Sequence, residues 1–333
     1  MNSQVAPGLK RKHVCLVIII FMNVGIKVGP TDGIAILEKS KARFCEVWFR
    51  IDWKDRYQEL FNYMRRKSIH FGFHFWGMVD GTYFPNLAFP RLNVAQKTYE
   101  LLKKTIDEAE KAGAFYVNFH PESLRLIKLN LDRCENTLVP DQEVSEQESY
   151  ESLLKYGTLL KTYAQAQNVE LYLETVPLYV PSCFRESEKE VERLSPVHSK
   201  GVSNMLLAKL GKQGFSLCFD IGHVTGQYPN MDREALFSHF IADARLLAPY
   251  TRLFHVNTTI EPFNGTDSHN GILMDDFAKD VFPNKKQFIK ILEIFLPYKE
   301  ILYIPEPQQE KMIGNFFELK KLIRNKLSKL KGN

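Results

Sequence analysis

Histidine, aspartate and glutamate recur in this chain at places where one ion could gather them. His74, His120, Glu174, Asp220, His255 and Glu306 each stand at or near the end of a different short apolar or aromatic run. Imidazole and carboxylate together suit zinc, manganese or iron, and the lack of cysteine among them disfavours a purely structural zinc. Two short motifs extend the set. Asp220-Ile-Gly-His223 puts a second imidazole three residues beyond Asp220, and Asp267-Ser-His269 puts a carboxylate and an imidazole two residues apart. Such spacing can chelate an ion from an extended loop. The other histidines are read as structural: His70 starts a strand and should point low into the barrel or pack, His239 is within a helix, and His13 and His198 are in surface segments.

The elements that must carry these residues follow from periodicity. Eight β-rich segments can be read: Asn23–Val28, Phe44–Phe49, Ile69–His74, Phe115–His120, Val169–Glu174, Phe215–Asp220, Arg252–Asn257 and Ile301–Glu306. Several are nearly continuous apolar runs, as expected of strands buried on both faces of a parallel sheet. Amphipathic helical patterns alternate with them. One follows Asn93, a candidate cap, with Leu101, Leu102, Ile106 and Ala109 on one face; others span Tyr150–Ala166 and Arg233–Leu247, and two more run through Phe288–Phe295 and Phe316–Ile323. The alternation predicts α/β architecture in a single (β/α)8 barrel, with an open doubly wound sheet as the runner-up. In a barrel, strand ends are where chemistry sits. Two long connections are therefore expected over the site. Gly77 to Arg91 follows the third strand, close to Trp76, with Tyr83 and Phe84; Thr175 to about Gly201 follows the fifth, with Tyr179, Phe184 and Arg185.

The formal charge of +5 is unevenly spread. Lys10, Arg11 and Lys12 carry part of it, and the tail from Phe316 holds six basic residues against Glu318. The rest of the chain is slightly acidic, which is no electrostatic footprint for DNA. Five scattered cysteines without a Cys-x-x-Cys pair argue against a disulfide framework and for a reducing, cytoplasmic setting. The basic triplet before the apolar run Val14–Met22 has the layout of a signal peptide, but the run is short and Asn23-Val24-Gly25 is a poor cleavage site. Residues 1–21 are read as an extension or a mis-called start, ahead of one domain over 22–333. No stretch approaches a transmembrane length.

Phe119-His-Pro-Glu-Ser123, Leu173-Glu-Thr175, Cys218-Phe-Asp-Ile-Gly-His223, Phe254-His-Val-Asn257, Asp267-Ser-His269 and Pro305-Glu-Pro307 resemble the xylose-isomerase-like barrels. Within them they look most like the endonuclease IV family of apurinic/apyrimidinic DNA endonucleases. The resemblance runs from about Asn23 to Glu306. It implies up to three ions, Zn²⁺ first: one on His74, His120 and Glu174; one on Glu174, Asp220, His255 and Glu306; and one on His223, Asp267 and His269. This chain departs from the family in Asn270-Gly-Ile-Leu-Met274 after Asp-x-His, and in the long insertion after Glu174.

Three functions are weighed. The first is a phosphodiester hydrolase acting on abasic DNA, in which clustered cations activate water, hold the phosphate and stabilise the leaving oxygen. The second is a sugar or sugar-phosphate isomerase or epimerase with one Mn²⁺ or Mg²⁺ on Glu174, Asp220, His255 and Glu306, the two glutamates shuttling protons. Members of that branch tend to carry an arginine after the seventh strand, and this chain has none between Arg252 and Arg324. The third is a non-catalytic metal-binding barrel. Glu174, Glu306 and His223 are the expected catalytic residues. The oligomeric state is not legible.

Overall fold

Each apolar run buries both of its faces only if the sheet has helices outside and packed side chains inside. The computed structural model, which describes residues 24–182 and 196–331, has this arrangement. Its strands are β1 (Ile26–Val28), β2 (Phe44–Arg50), β3 (His70–Trp76), β4 (Tyr116–Phe119), β5 (Arg125–Asn130), β6 (Glu135–Glu143), β7 (Glu170–Glu174), β8 (Ser216–Asp220), β9 (Thr251–Val256), β10 (Thr259–Ile260), β11 (Val281–Phe282) and β12 (Leu302–Pro305). Eight of them form one sheet in the order β1-β2-β3-β4-β7-β8-β9-β12. Every neighbouring pair in it is parallel. A parallel bridge between Val24 and Tyr303 closes the ring, and the Gly25 N–H donates to the Tyr303 carbonyl at 2.9 Å. All eight expected segments are barrel strands; seven agree within a residue or two at their ends, and the first begins at Ile26, three residues after the expected Asn23.

The helices start where side chains can satisfy their first amides. Ser145 and Glu148 form a capping box that starts the helix Glu146–Ala166 four residues before the expected Tyr150. Asp232 and Asn284 cap the helices Arg233–Leu247 and Lys285–Phe295. Asn93 stands at the start of Val94–Ala112 as expected but makes no side-chain cap bond. A cap needs extended backbone, and Asn93 is left-handed, with φ 57. His70 is exposed at the start of β3 rather than aimed into the barrel, and His239 is exposed on its helix, stacked on Tyr228. His13 lies outside the described residues. Cys45, Cys134 and Cys218 are free thiols. No described helix is long and apolar enough to cross a membrane.

An antiparallel hairpin, β5–β6, was not expected. It fills the connection after β4 and rises at the catalytic end. A bridge from Tyr83 to Lys128 ties it to the connection after β3, and the Asn136 N–H donates to the Ser182 carbonyl at 2.9 Å. The connection after β7 returns as a bridge between Val180 and Val197.

Candidate metal centre

The inner face of the barrel changes character one level up each strand. The lower layer is apolar or aromatic: Phe44, Tyr116, Tyr172, Cys218, Leu253 and Ile304. Side chains alternate between the two faces of a strand, so the next inward residue lies two positions on. That step reaches Glu46, Asn118, Glu174, Asp220, His255 and Glu306, all buried. On β3 the same step leads from Gly72 to His74. His223 follows on the short helix Ile221–Thr225, started by the Asp220 carboxylate accepting from the His223 amide at 2.9 Å. His120, Asp267 and His269 come from the loops above.

The nine expected residues meet in one place and fall into overlapping sets. His74, His120 and Glu174 form the first; His74 Nε2 and His120 Nε2 lie 3.7 and 3.6 Å from Glu174 Oε2. Glu174, Asp220, His255 and Glu306 form the second, with His255 Nδ1 at 3.0 Å from Glu174 Oε1, 3.7 Å from Asp220 Oδ2 and 3.5 Å from Glu306 Oε1. The third holds His223, Asp267 and His269, with Asp220 added. Here His223 Nε2 is 3.4 Å from Asp267 Oδ2, and His269 Nε2 is 3.6 Å from Asp220 Oδ1. Glu174 therefore joins the first two sets, and Asp220 joins the second and third.

These separations fit divalent ions. Zinc bonds of about 2.0–2.2 Å in a tetrahedron place neighbouring ligand atoms roughly 3.3–3.6 Å apart, near most of these separations, with His255 Nδ1–Glu174 Oε1 at 3.0 Å and His269 Nε2–Asp267 Oδ1 at 2.8 Å drawn closer. An orphaned atom agrees. His120 Nε2 is buried without a hydrogen-bond partner, a state that proteins rarely leave uncompensated; His255 Nε2 faces Glu46 Oε2 at 2.9 Å and His269 Nε2 faces Asp267 Oδ1 at 2.8 Å, neither in regular hydrogen-bond geometry.

The neighbours orient the set. Thr175 O accepts from His223 Nδ1 at 2.7 Å, which fixes the proton there and leaves Nε2 for Asp267. The Asn257 amide donates to Asp220 Oδ2 at 2.9 Å, and the Asn118 amide donates to Glu174 Oε2. Burial penalises the Glu174 charge, yet His255, His74 and His120 hold its carboxyl well below the usual range. At Asp220 burial is likewise outweighed, by His223 and His269, and the value falls to about 2. Burial and then Lys27 drive His74 down to about 4. Burial also opposes charge on His120, but Glu174 and Glu122 push it up to about 9. Against the same penalty, Asp267 and Asp220 push His269 up to about 10. Cys218, a layer below Asp220, stays a thiol because burial and Glu174 push it up, so it is a poor ligand.

Two charged residues here were missed from the sequence. Glu46 is fully buried, accepts from Tyr116 Oη at 3.1 Å and lies 2.9 Å from His255 Nε2. Lys27 reaches in from β1, 2.7 Å from His74 Nδ1 and in contact with Glu306.

A cavity of about 710 Å³ opens above the set. Trp48, Arg50, Trp53 and Trp76 line one wall, with the Arg50 guanidinium held between the Trp53 and Trp76 rings at 3.8 and 4.2 Å. Phe84, Tyr179, and Asn136 of the hairpin line other parts. Tyr83 packs against the core and pairs with Lys128 instead. Phe184 and Arg185 lie outside the described residues.

A family model described as xylose isomerase-like TIM barrel matches residues 32–310. The chain belongs to the xylose isomerase-like TIM-barrel family. No curated protein matches it. Solved structures of the same fold include a D-tagatose 3-epimerase-like protein, 15% identical, with 93% of this chain and 100% of that one covered at a TM-score of 0.61. A xylose isomerase domain protein from Planctomyces limnophilus is also 15% identical, over 93% of this chain and 96% of its own, at 0.53. Endonuclease IV from Thermus thermophilus is 13% identical, over 91% of this chain and 99% of its own, at 0.50. The solved structures of this fold thus include an endonuclease IV and an epimerase-like protein, and at these identities the likeness shows the fold.

Proposed function

We propose that this chain is a metal-dependent phosphodiester hydrolase of the endonuclease IV type, with abasic DNA as the first substrate to test. The observation that carries this reading is the joining of three ligand sets through Glu174 and Asp220. One isomerase ion needs only the second set; His74, His120, His223, Asp267 and His269 would then be an expensive excess of half-paired polar groups.

Charge supports the same reading. Among the described residues, the ligand sets with the adjoining Glu46 gather five carboxylates, Glu46, Glu174, Asp220, Asp267 and Glu306, and the Lys27 ammonium pairs with two of them, Glu46 and Glu306. Two divalent ions would offset that excess, and a third would leave two positive charges, which the single charge of a phosphodiester and a bound hydroxide would neutralise. Bound there, such ions polarise a phosphoryl oxygen, acidify a water and stabilise the leaving oxygen. The residues of the three sets would hold the ions, and Asn118, Asn257 and Thr175 keep the ligand side chains from turning. The cavity falls within the usual range for ligand sites, roughly 300–1,000 Å³, and takes one nucleotide unit drawn out of a duplex.

The full chain purified without chelator should hold two to three equivalents of Zn²⁺ or Mn²⁺ by elemental analysis. It should nick an abasic duplex only with metal, more weakly as salt rises. Glu174→Gln should abolish turnover and lower the metal count, because it removes a charge shared by two ions. The second reading, sugar or sugar-phosphate epimerisation, is favoured by one observation: Glu174 and Glu306 both flank His255 in the four-residue set. A count fixed at one, unchanged in His120→Ala, with interconversion of ketoses and intact abasic DNA, would select it.

A further inference from the structure

Glu122, two residues beyond His120, belongs to none of the three sets. It lines the cavity above them, with its side chain only 15% exposed. Its backbone is left-handed, with φ 70. A side chain there crowds the neighbouring carbonyl, so glycine or asparagine ordinarily fills such a position. Among the described residues, Glu122 is the one left-handed residue other than glycine that lines the cavity. Its surroundings fix that conformation. The Glu122 carbonyl accepts from the Val202 amide at 3.0 Å, the Leu124 amide donates to the Lys200 carbonyl at 2.9 Å, and Ser123 bridges to Gly201. The Asn86 side-chain amide donates to the Ser123 carbonyl at 2.8 Å. Backbone strain persists only where neighbours over-determine it, and it clusters at functional sites.

The strained segment delivers a carboxylate to one ligand. Glu122 Oε1 lies 3.5 Å from His120 Nδ1, while Nε2 of the same ring lies 3.6 Å from Glu174 Oε2. We propose that Glu122 is the positioning residue of His120: its carboxylate accepts the Nδ1 proton, which turns the unprotonated Nε2 toward the first ion. Each ring nitrogen then has a single task. A separation of 3.5 Å is long for a hydrogen bond, and a small rotation of either side chain closes it. A ligating histidine commonly donates its other ring N–H to a carboxylate, and losing that partner weakens metal binding by about 10–100-fold.

The inference rests on the metal-centre reading, and the experiment separates the two. Full-length wild type, Glu122→Gln, Glu122→Gly, His120→Ala and the double variant Glu122→Gly/His120→Ala are dialysed against a series of Mn²⁺ concentrations and analysed for bound metal. The equivalent missing from His120→Ala is the first ion. Glu122→Gly should bind that equivalent about 10–100-fold more weakly and the others as the wild type does. Glu122→Gln keeps an acceptor oxygen and should lose less. On top of His120→Ala, the glycine change should alter metal binding no further. The Tm in chelator gives a second readout. Both Glu122 variants lose the charge, but only glycine releases the strained backbone. Glu122→Gly should therefore melt no lower than Glu122→Gln, the reverse of their order in metal affinity, whereas a residue that merely supports its loop would lower both together. A Glu122→Gly chain that keeps wild-type affinity, or one that melts below Glu122→Gln or fails to fold, overturns the inference and leaves the metal centre standing. So does a further loss of affinity in the double variant. A wild type that binds no metal, or one equivalent that His120→Ala keeps, overturns the three-set reading and this inference with it.

Discussion

An imidazole ligates a divalent ion only through a nitrogen that has shed its proton. His120 at about 9 and His269 at about 10 carry that proton near neutral pH. Metal uptake at about pH 7 should therefore release at least two protons per chain and strengthen as pH rises. Titration calorimetry in two buffers of different ionisation enthalpy would count them; an uptake that releases none would overturn the assignment of these two ligands. The metal-free chain has the opposite dependence. Both folded values lie above the ordinary histidine value of about 6.5, so their contribution to stability is complete below it and is lost as pH rises through both. The metal-free Tm should fall between about pH 7 and about pH 10, and added metal should offset that fall. Nine ligand candidates were legible because barrels put chemistry where strands end. Glu46 escaped because it sits in the third position of a seven-residue strand. The signal was there: it is the one charged side chain between Phe44 and Phe49, in a run that must be buried.

Elements were legible in proportion to their apolar content. All eight barrel strands are short buried runs, and the helices show a clear apolar stripe. The β5–β6 hairpin is a different case. Its second strand, Glu135–Glu143, alternates weakly and contains Pro140, because much of it faces solvent at the rim. The site depends on a less conspicuous feature of β3. A Cβ at Gly72 would overlap the Tyr116 ring. Tyr116 cannot easily move, since it stacks on Tyr172 at 4.8 Å and packs against Phe44 and Phe115. Gly72 thus makes room for the ring whose hydroxyl donates to Glu46. Gly72→Ala should destabilise the chain by about 1–3 kcal/mol, as overpacking does. Urea unfolding would measure it; a loss too small to resolve would mean that the aromatic layer yields more readily than close packing allows.

At the scale of the whole molecule the question is where the barrel begins. Closure is made by Val24 and Gly25 on Tyr303, two residues ahead of β1. Every described candidate ligand lies C-terminal to that seam, from Glu46 onward. Phe316 and Leu319 of the last helix, Met312–Lys331, are buried in the same core as Ile26 and Val28 of β1, so the two ends of the barrel already share a packed interior. The basic triplet and the apolar run Val14–Phe21 precede all of this in the sequence and lie outside the described residues. A chain starting at Met22 should therefore fold with an unchanged Tm and bind the same number of metal equivalents as the full chain. Scanning calorimetry and elemental analysis on both forms would check this. A shortened chain that is insoluble or metal-free would mean that the barrel needs residues before Met22, and the apolar run Val14–Phe21 would then be the first segment to restore.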